Sequence, residues 1–278
     1  MNIAFISDLH VDAGSFGMEA VRLMPDLLAE LHPDVFIIAG DVSADSIEIE
    51  DVLSRFDPID CHKLFVPGNH DIWVPNLPGQ SSKEKYEQIL PEIVQKTGFH
   101  YLPSRPVVIR GIGFAGSIGW YDYSFRNKAF DNKISMADYK QKRYRSRIWS
   151  DARFAKWGMT DEDVTETLAA QLADDLDNLQ DADVPIVAVI HHLPFEEAVI
   201  RTGQLIFDFF GAYMGSERFG EVIKVRANVQ MVICGHTHTQ RDVKIDSIRI
   251  LVSPLGYEHE RPQGVAETLK ESLRTVQV

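Results

Sequence analysis

Three observations predict an α/β protein built on a largely parallel sheet. Five short apolar runs, residues 3–6, 35–39, 64–66, 186–190 and 231–234, lack polar alternation, as strands covered on both faces do. Segments of helical periodicity lie between them, as crossover connections require. Each run is followed at once by polar residues, and in open α/β sheets sites form at the carboxyl ends of the strands.

The first run ends in Ser7-Asp8-Leu9-His10, and the spacing then predicts a helix over 18–31. The second ends in Gly40-Asp41 and leads to a helix over 47–55. The third ends in Val66-Pro67-Gly68-Asn69-His70-Asp71, where glycine permits a tight turn and three polar side chains leave one loop. A helix over 83–96 follows, then a hairpin of 107–109 with 112–115 across Arg110-Gly111. The strongest helix signal is 160–179, where Thr160 and Asp163 form a capping-box pattern and Val164, Leu168, Leu172, Leu176 and Leu179 make one apolar stripe. That stripe reads as core. The fourth run ends in His191-His192, and a helix over 217–226 leads to the fifth, which ends in Gly235-His236-Thr237-His238. A second hairpin, 243–245 with 248–252, and a helix over 265–273 complete the chain.

With 278 residues, 45% hydrophobic and 25% charged, the chain can bury a sizeable core. The polar clusters run from residue 8 to residue 238, so one domain over 1–278 is expected, because a cut would split the site. A net charge of -13 argues against a general grip on nucleic acid. Cys61 and Cys234 stand far apart and suggest neither a disulfide framework nor a thiolate zinc site. The opening apolar run is too short for a signal-peptide core, and no run approaches the roughly 18 residues of a membrane span. A cytoplasmic protein without a membrane contact is therefore expected. Nothing in the pattern names an oligomeric state.

The segment 117–157 departs from the acidic average. It holds Trp120, Tyr121, Tyr123, Phe125, Phe130, Tyr139, Tyr144, Trp149, Phe154 and Trp157, and from Arg126 to Lys156 it carries ten Lys or Arg against three Asp. One reading is a cap that meets an anionic or ring-bearing substrate; the other is a solvated basic face over a satellite core.

The converging side chains are Asp8, His10, Asp41, Asn69, His70, His191 or His192, His236 and His238. Carboxylates, imidazoles and one amide, without thiolate, suit divalent Mn, Fe, Zn, Co or Ni. There are too many donors for one ion, and Asp41 has two oxygens with which to bridge two. A pair of ions sharing a water would suit an in-line displacement at phosphorus.

In this order, Asp8-Leu9-His10, Gly40-Asp41, Gly68-Asn69-His70-Asp71, His191-His192 and Gly235-His236-Thr237-His238 resemble the calcineurin-like metallophosphoesterases. The resemblance implies a four-layer α/β/β/α sandwich of two facing mixed sheets flanked by helices. It implies a hydroxide activated between two divalent ions (Mn, Fe, Zn or Co) and hydrolysis of a small phosphoester, a diester favoured over a monoester. Asp8, His10, Asp41 and His238 would hold one ion; Asp41, Asn69, His191 and His236 the other. Either His191 or His192 could be the ligand, and His191 is preferred because it follows the apolar run directly. His70 would stabilise the transition state or protonate the leaving oxygen, Asp71 would hold its ring, and His192 would touch substrate. After Gly40-Asp41, Val42-Ser43-Ala44-Asp45 lacks the arginine of the protein serine/threonine phosphatase branch. The alternatives are a nuclease gripping a strand with the insert, and a metal-binding scaffold without turnover.

Overall fold

The computed structural model describes residues 1–75, 79–180 and 182–278. Two mixed sheets carry the chain. In the first, β1 (Asn2–Ile6), β2 (Val35–Ala39), β3 (His62–Val66) and β4 (His100–Tyr101) run parallel, and β13 (Arg274–Gln277) pairs antiparallel with β1 at the edge. In the second, β6 (Ile112–Ser117), β9 (Ile186–Ile190), β10 (Val229–Cys234) and β12 (Ile248–Val252) run parallel between antiparallel edges β5 (Val107–Ile109) and β11 (Arg241–Ile245). A two-stranded ribbon, β7 (Arg143–Tyr144) with β8 (Arg147–Ile148), belongs to the 117–157 insert.

Strands β2 and β9 are apolar and buried at every position because both faces are covered. Ile3, Phe5, Val35, Ile37, Leu64 and Val66 point between the sheets and form one core with Phe114, Val187, Val189, Ile233 and Leu251 of the second sheet. Their neighbours Ala4, Ile6, Phe36, Ile38 and Phe65 join a second core with Ala20, Met24 and Leu28 of the helix Ser15–Leu31. Each such fully buried side chain contributes about 1.5–3 kcal/mol of transfer free energy, so the two-fold period alone assigns one residue inward and the next outward.

Both expected hairpins are present. The helix Asp161–Gln180 packs on β6 and on the helix Glu217–Lys224. Its start is closed by Thr160, whose Oγ1 accepts from Asp163 N at 3.1 Å and donates to Asp163 Oδ2 at 2.7 Å. The expected helix 83–96 contains a π-turn at Lys85–Ile89. That turn places Lys85, 2% exposed, where its Nζ donates to Ala44 O at 2.8 Å and Trp73 O at 3.0 Å, tying together the loops after β2 and β3. Strands β4, β7, β8 and β13 are too short or too polar to stand out in sequence; pairing with a neighbour defines them.

Candidate metal centre

The loops after β1, β2, β3, β9 and β10 meet at one end of the two sheets. Asp8 N donates to Gly40 O at 2.9 Å, His10 N to Asp41 O at 3.0 Å, and Gly235 N to His191 O at 3.0 Å, so the loops are bonded to one another. Asp8 (φ 56°), His10 (φ 44°), Asp41 (φ 59°), His236 (φ 72°) and His238 (φ 50°) all lie in the left-handed region. For residues other than glycine that backbone costs on the order of 1 kcal/mol each and is kept where the surroundings require it. Here it turns five side chains out of their strands toward one point. The chain also crowds: a Cβ on Gly40 (φ 89°) would lie 2.6 Å from Gly68 N. Only glycine lets the β2 and β3 loops approach this closely.

Three donor groups result. His10, Asp12 and His70 form one, Asp8, His10 and His238 a second, and Asp41, His191 and His236 a third, the ligand atoms of each lying within 4.8 Å of one another. Asp41 links them, because its Oδ2 lies 3.8 Å from His10 Nε2 and 3.4 Å from His191 Nε2. Its other oxygen is committed, accepting the His70 backbone N–H at 2.9 Å. Of the two oxygens, Oδ2 is the one that lies between His10 and His191. His191 Nδ1 bonds Ala39 O at 2.8 Å, and its buried Nε2 has no hydrogen-bond partner; Asn69 Oδ1 is likewise buried and unpartnered. His236 Nε2 bonds Tyr213 O at 3.2 Å, leaving Nδ1 toward the site. Buried, unpartnered donors of this hardness fit divalent cations.

Burial opposes charge on His191, yet the Asp41 carboxylate beside it lifts its pKa to about 9. His238 is raised to about 10 against the same burial by Asp8 and Glu260. Conversely, burial and the neighbouring His70 push His10 down to about 3, and burial with His192 and His191 holds His236 well below its ordinary value. Burial would raise the Asp8 and Asp41 carboxyls, but His238 and His191 respectively hold them low.

His70 lines the cleft above these groups, stacked on Trp73 with ring centroids 3.6 Å apart and edge-on to His10 at 4.5 Å. Asp71 does not hold that ring. It is fully buried and accepts four backbone N–H bonds, from Asp41 (2.8 Å), Val42 (2.7 Å), Ser43 (3.0 Å) and Gly68 (2.7 Å). Its carboxylate staples the loop after β2 to the loop after β3, and Trp73 orients His70 in its place. His192, expected at the substrate, is fully buried beside His236 (ring centroids 4.2 Å), with Nδ1 bonded to Ile118 O at 2.9 Å. Its Nε2 is buried without a hydrogen-bond partner, as that of His191 is, and neither of the two rings lines the cleft.

Sequence reasoning missed Tyr257, whose ring stacks on His10 at 4.5 Å, and Glu260, whose Oε2 bonds His238 Nδ1 at 2.9 Å and directs Nε2 inward. Neither sits in a motif. Only a carboxylate three residues after an aromatic, past the last site strand, could have flagged them.

The cleft has a volume of about 340 Å³. Asp41, Asn69, His236 and His238 line one side; the rest of the lining is largely apolar, with Trp149, Ile200, Phe207, Phe210 and Met214. Among the described residues that line it there is no Lys or Arg. In the insert, Trp120, Tyr121, Tyr123, Phe125, Tyr139 and Tyr144 are buried and join the same core as Ala4, Ile6 and Phe36, while Trp149 lines the cleft.

No helix among the described residues is long and apolar enough to cross a membrane. A model of the family described as calcineurin-like phosphoesterase matches residues 1–240. Among solved structures, a phosphopantetheinyl hydrolase from Mycobacterium tuberculosis is similar over 99% of this chain and 95% of its own, with 21% identity and a TM-score of 0.77. A dimetal phosphatase from Danio rerio is similar over 91% of this chain and 86% of its own, with 12% identity and a TM-score of 0.55. At these identities the likeness is one of fold. No curated protein matches the chain.

Proposed function

The chain belongs to the calcineurin-like phosphoesterase family and is a metallophosphoesterase; on that premise we propose that it hydrolyses a phosphodiester in preference to a monoester. Asp8, His10, Asp41 and His238 would hold one divalent ion, and Asp41, Asn69, His191 and His236 the other. The observation that carries the reading is Asp41 Oδ2, lying between His10 Nε2 at 3.8 Å and His191 Nε2 at 3.4 Å. Two ions held by these residues would supply an acidified water as nucleophile and positive charge for the oxygens around phosphorus.

The protein's own groups do the rest. His70 reaches the cleft beside His10 and can donate a proton to the departing oxygen, its ring plane held by Trp73. The apolar wall excludes water and receives an organic substituent of the substrate. Diester preference is supported by the apolar wall of Trp149, Ile200, Phe207, Phe210 and Met214, which offers a place for a second ester substituent beside the metals. Mn, Fe, Zn and Co all suit the donor set. Work in the cytoplasm is supported by two cysteines that stay free. The nuclease reading is weakened by the absence of Lys and Arg from the cleft lining among the described residues, and the scaffold reading is disfavoured by a full donor set.

The test strips the protein with chelator, restores Mn, Fe, Zn or Co singly, and compares an aryl phosphodiester with its monoester. A phosphopantetheinyl ester joins the panel because a similar structure carries that name. Faster metal-restored turnover of diesters is expected; monoester preference refutes the diester reading. Asp41→Asn should lower both metal content and turnover, the latter about 100-fold or more.

A further inference from the structure

Asp151 belongs to none of the five motifs and comes from the 117–157 insert, yet it is 1% exposed and bonded directly to a candidate ligand. Its Oδ1 accepts from Asn69 Nδ2 at 3.0 Å and from Trp73 Nε1 at 2.6 Å. Its Oδ2 accepts from Tyr121 OH at 2.9 Å and from Trp149 Nε1 at 2.7 Å. Four donors converge on one side chain, and a carboxylate has the lone pairs to satisfy all of them.

The Asn69 bond matters most. An amide can present either of its ends to a cation, and only the oxygen is a ligand. With Nδ2 committed to Asp151, Oδ1 must point the other way, and it is the atom left buried and unpartnered. The same carboxylate anchors Trp73, on which His70 stacks, and Trp149, which stands edge-on to His236 at 5.7 Å. Partners behind a ligand fix its orientation and tune affinity in this way.

We propose that Asp151 is a positioning residue that locks the Asn69 amide with its oxygen toward the second ion and, through Trp73, sets the plane of His70. The insert is thereby a working part of the centre. This rests on the two-ion reading above.

The test titrates cobalt(II) into the chelator-stripped protein and follows the visible absorption of each equivalent. The wild-type chain is expected to take up two equivalents. In Asp151→Ala the second should bind 10–100-fold more weakly while the first is unchanged. Tyr121→Phe removes a donor from the far oxygen only and should keep both. Unchanged binding in Asp151→Ala overturns the proposal. Equal weakening of both equivalents also overturns it, since that is what general structural damage produces. If the wild-type chain takes up fewer than two equivalents, the two-ion reading itself fails and the proposal falls with it. Should Asp151→Ala not fold, the metal-free wild-type protein decides by NMR. The Asn69 side-chain amide protons should exchange with water far more slowly than those of exposed amides; exchange at the exposed rate overturns the lock.

Discussion

Replacing Asp71 by Asn separates two roles for a residue that sits beside the presumed acid His70. The change is isosteric, but one carboxylate oxygen becomes an NH2 group facing two backbone N–H donors. Depending on the end replaced, these are Asp41 and Gly68, or Val42 and Ser43. A buried donor left without its acceptor costs about 1–3 kcal/mol, so two cost about 2–6 kcal/mol. The nearby Asp41 carboxylate favours the lower half of that range, because the substitution also removes a like charge. For a chain of 278 residues, with an unfolding entropy of roughly 2 cal/mol/K per residue, that lower half, about 2–4 kcal/mol, corresponds to a fall in Tm of about 3–7 °C. The assay is equilibrium urea unfolding and thermal melting of the metal-free protein, with the pH–rate profile of the metal-restored enzyme measured in parallel. The staple predicts a large loss of stability and an unshifted pH profile in the folded fraction. An unchanged Tm with a displaced alkaline limb would mean that Asp71 tunes the His70 ring, and would refute the reasoning.

Three further outcomes follow from the geometry. His191 and His238, raised to about 9 and about 10 by their carboxylate partners, are protonated at pH 7 and must lose those protons to bind an ion; metal uptake should release about two protons and tighten as pH rises, and calorimetry in two buffers of different ionisation enthalpy would expose a proton-neutral uptake. Glu260→Gln keeps an oxygen for His238 Nδ1 but removes its charge, so metal affinity should fall about 10-fold; an unchanged affinity in chelator competition would count against Glu260 as the orienting partner. Burial lifts the Asp175 carboxyl to about 6, against the bond from Ser104 N. The folded state therefore favours its neutral form, and stability is lost as pH rises from about 4 to 6. Asp175→Asn keeps the acceptor and should be more stable than the wild type by about 1–2 kcal/mol at pH 7 and equal to it below pH 4; urea melts at both pH values would reveal a difference of the wrong sign.

By itself the sequence determined the strands, the crossover helices and the residues that meet at the sheets' carboxyl ends. These follow from local signals: apolar runs of strand length, a helical stripe from Val164 to Leu179, and polar residues placed directly after each run. Asp8, Asp41, His191 and His236 were legible for that reason, since a side chain one or two residues past a buried strand has little choice of direction. Tertiary structure alone decided what each group bonds to. Asp71 stands next to His70 in the chain, yet four N–H groups from two loops claim its oxygens, and His192 turns inward to the Ile118 carbonyl. Asp151 and Glu260 reach Asn69 and His238 across 82 and 22 residues. No local pattern encodes such pairings, because a hydrogen bond depends on where the backbone of a distant loop comes to rest, and that is settled by the packing of both sheets together.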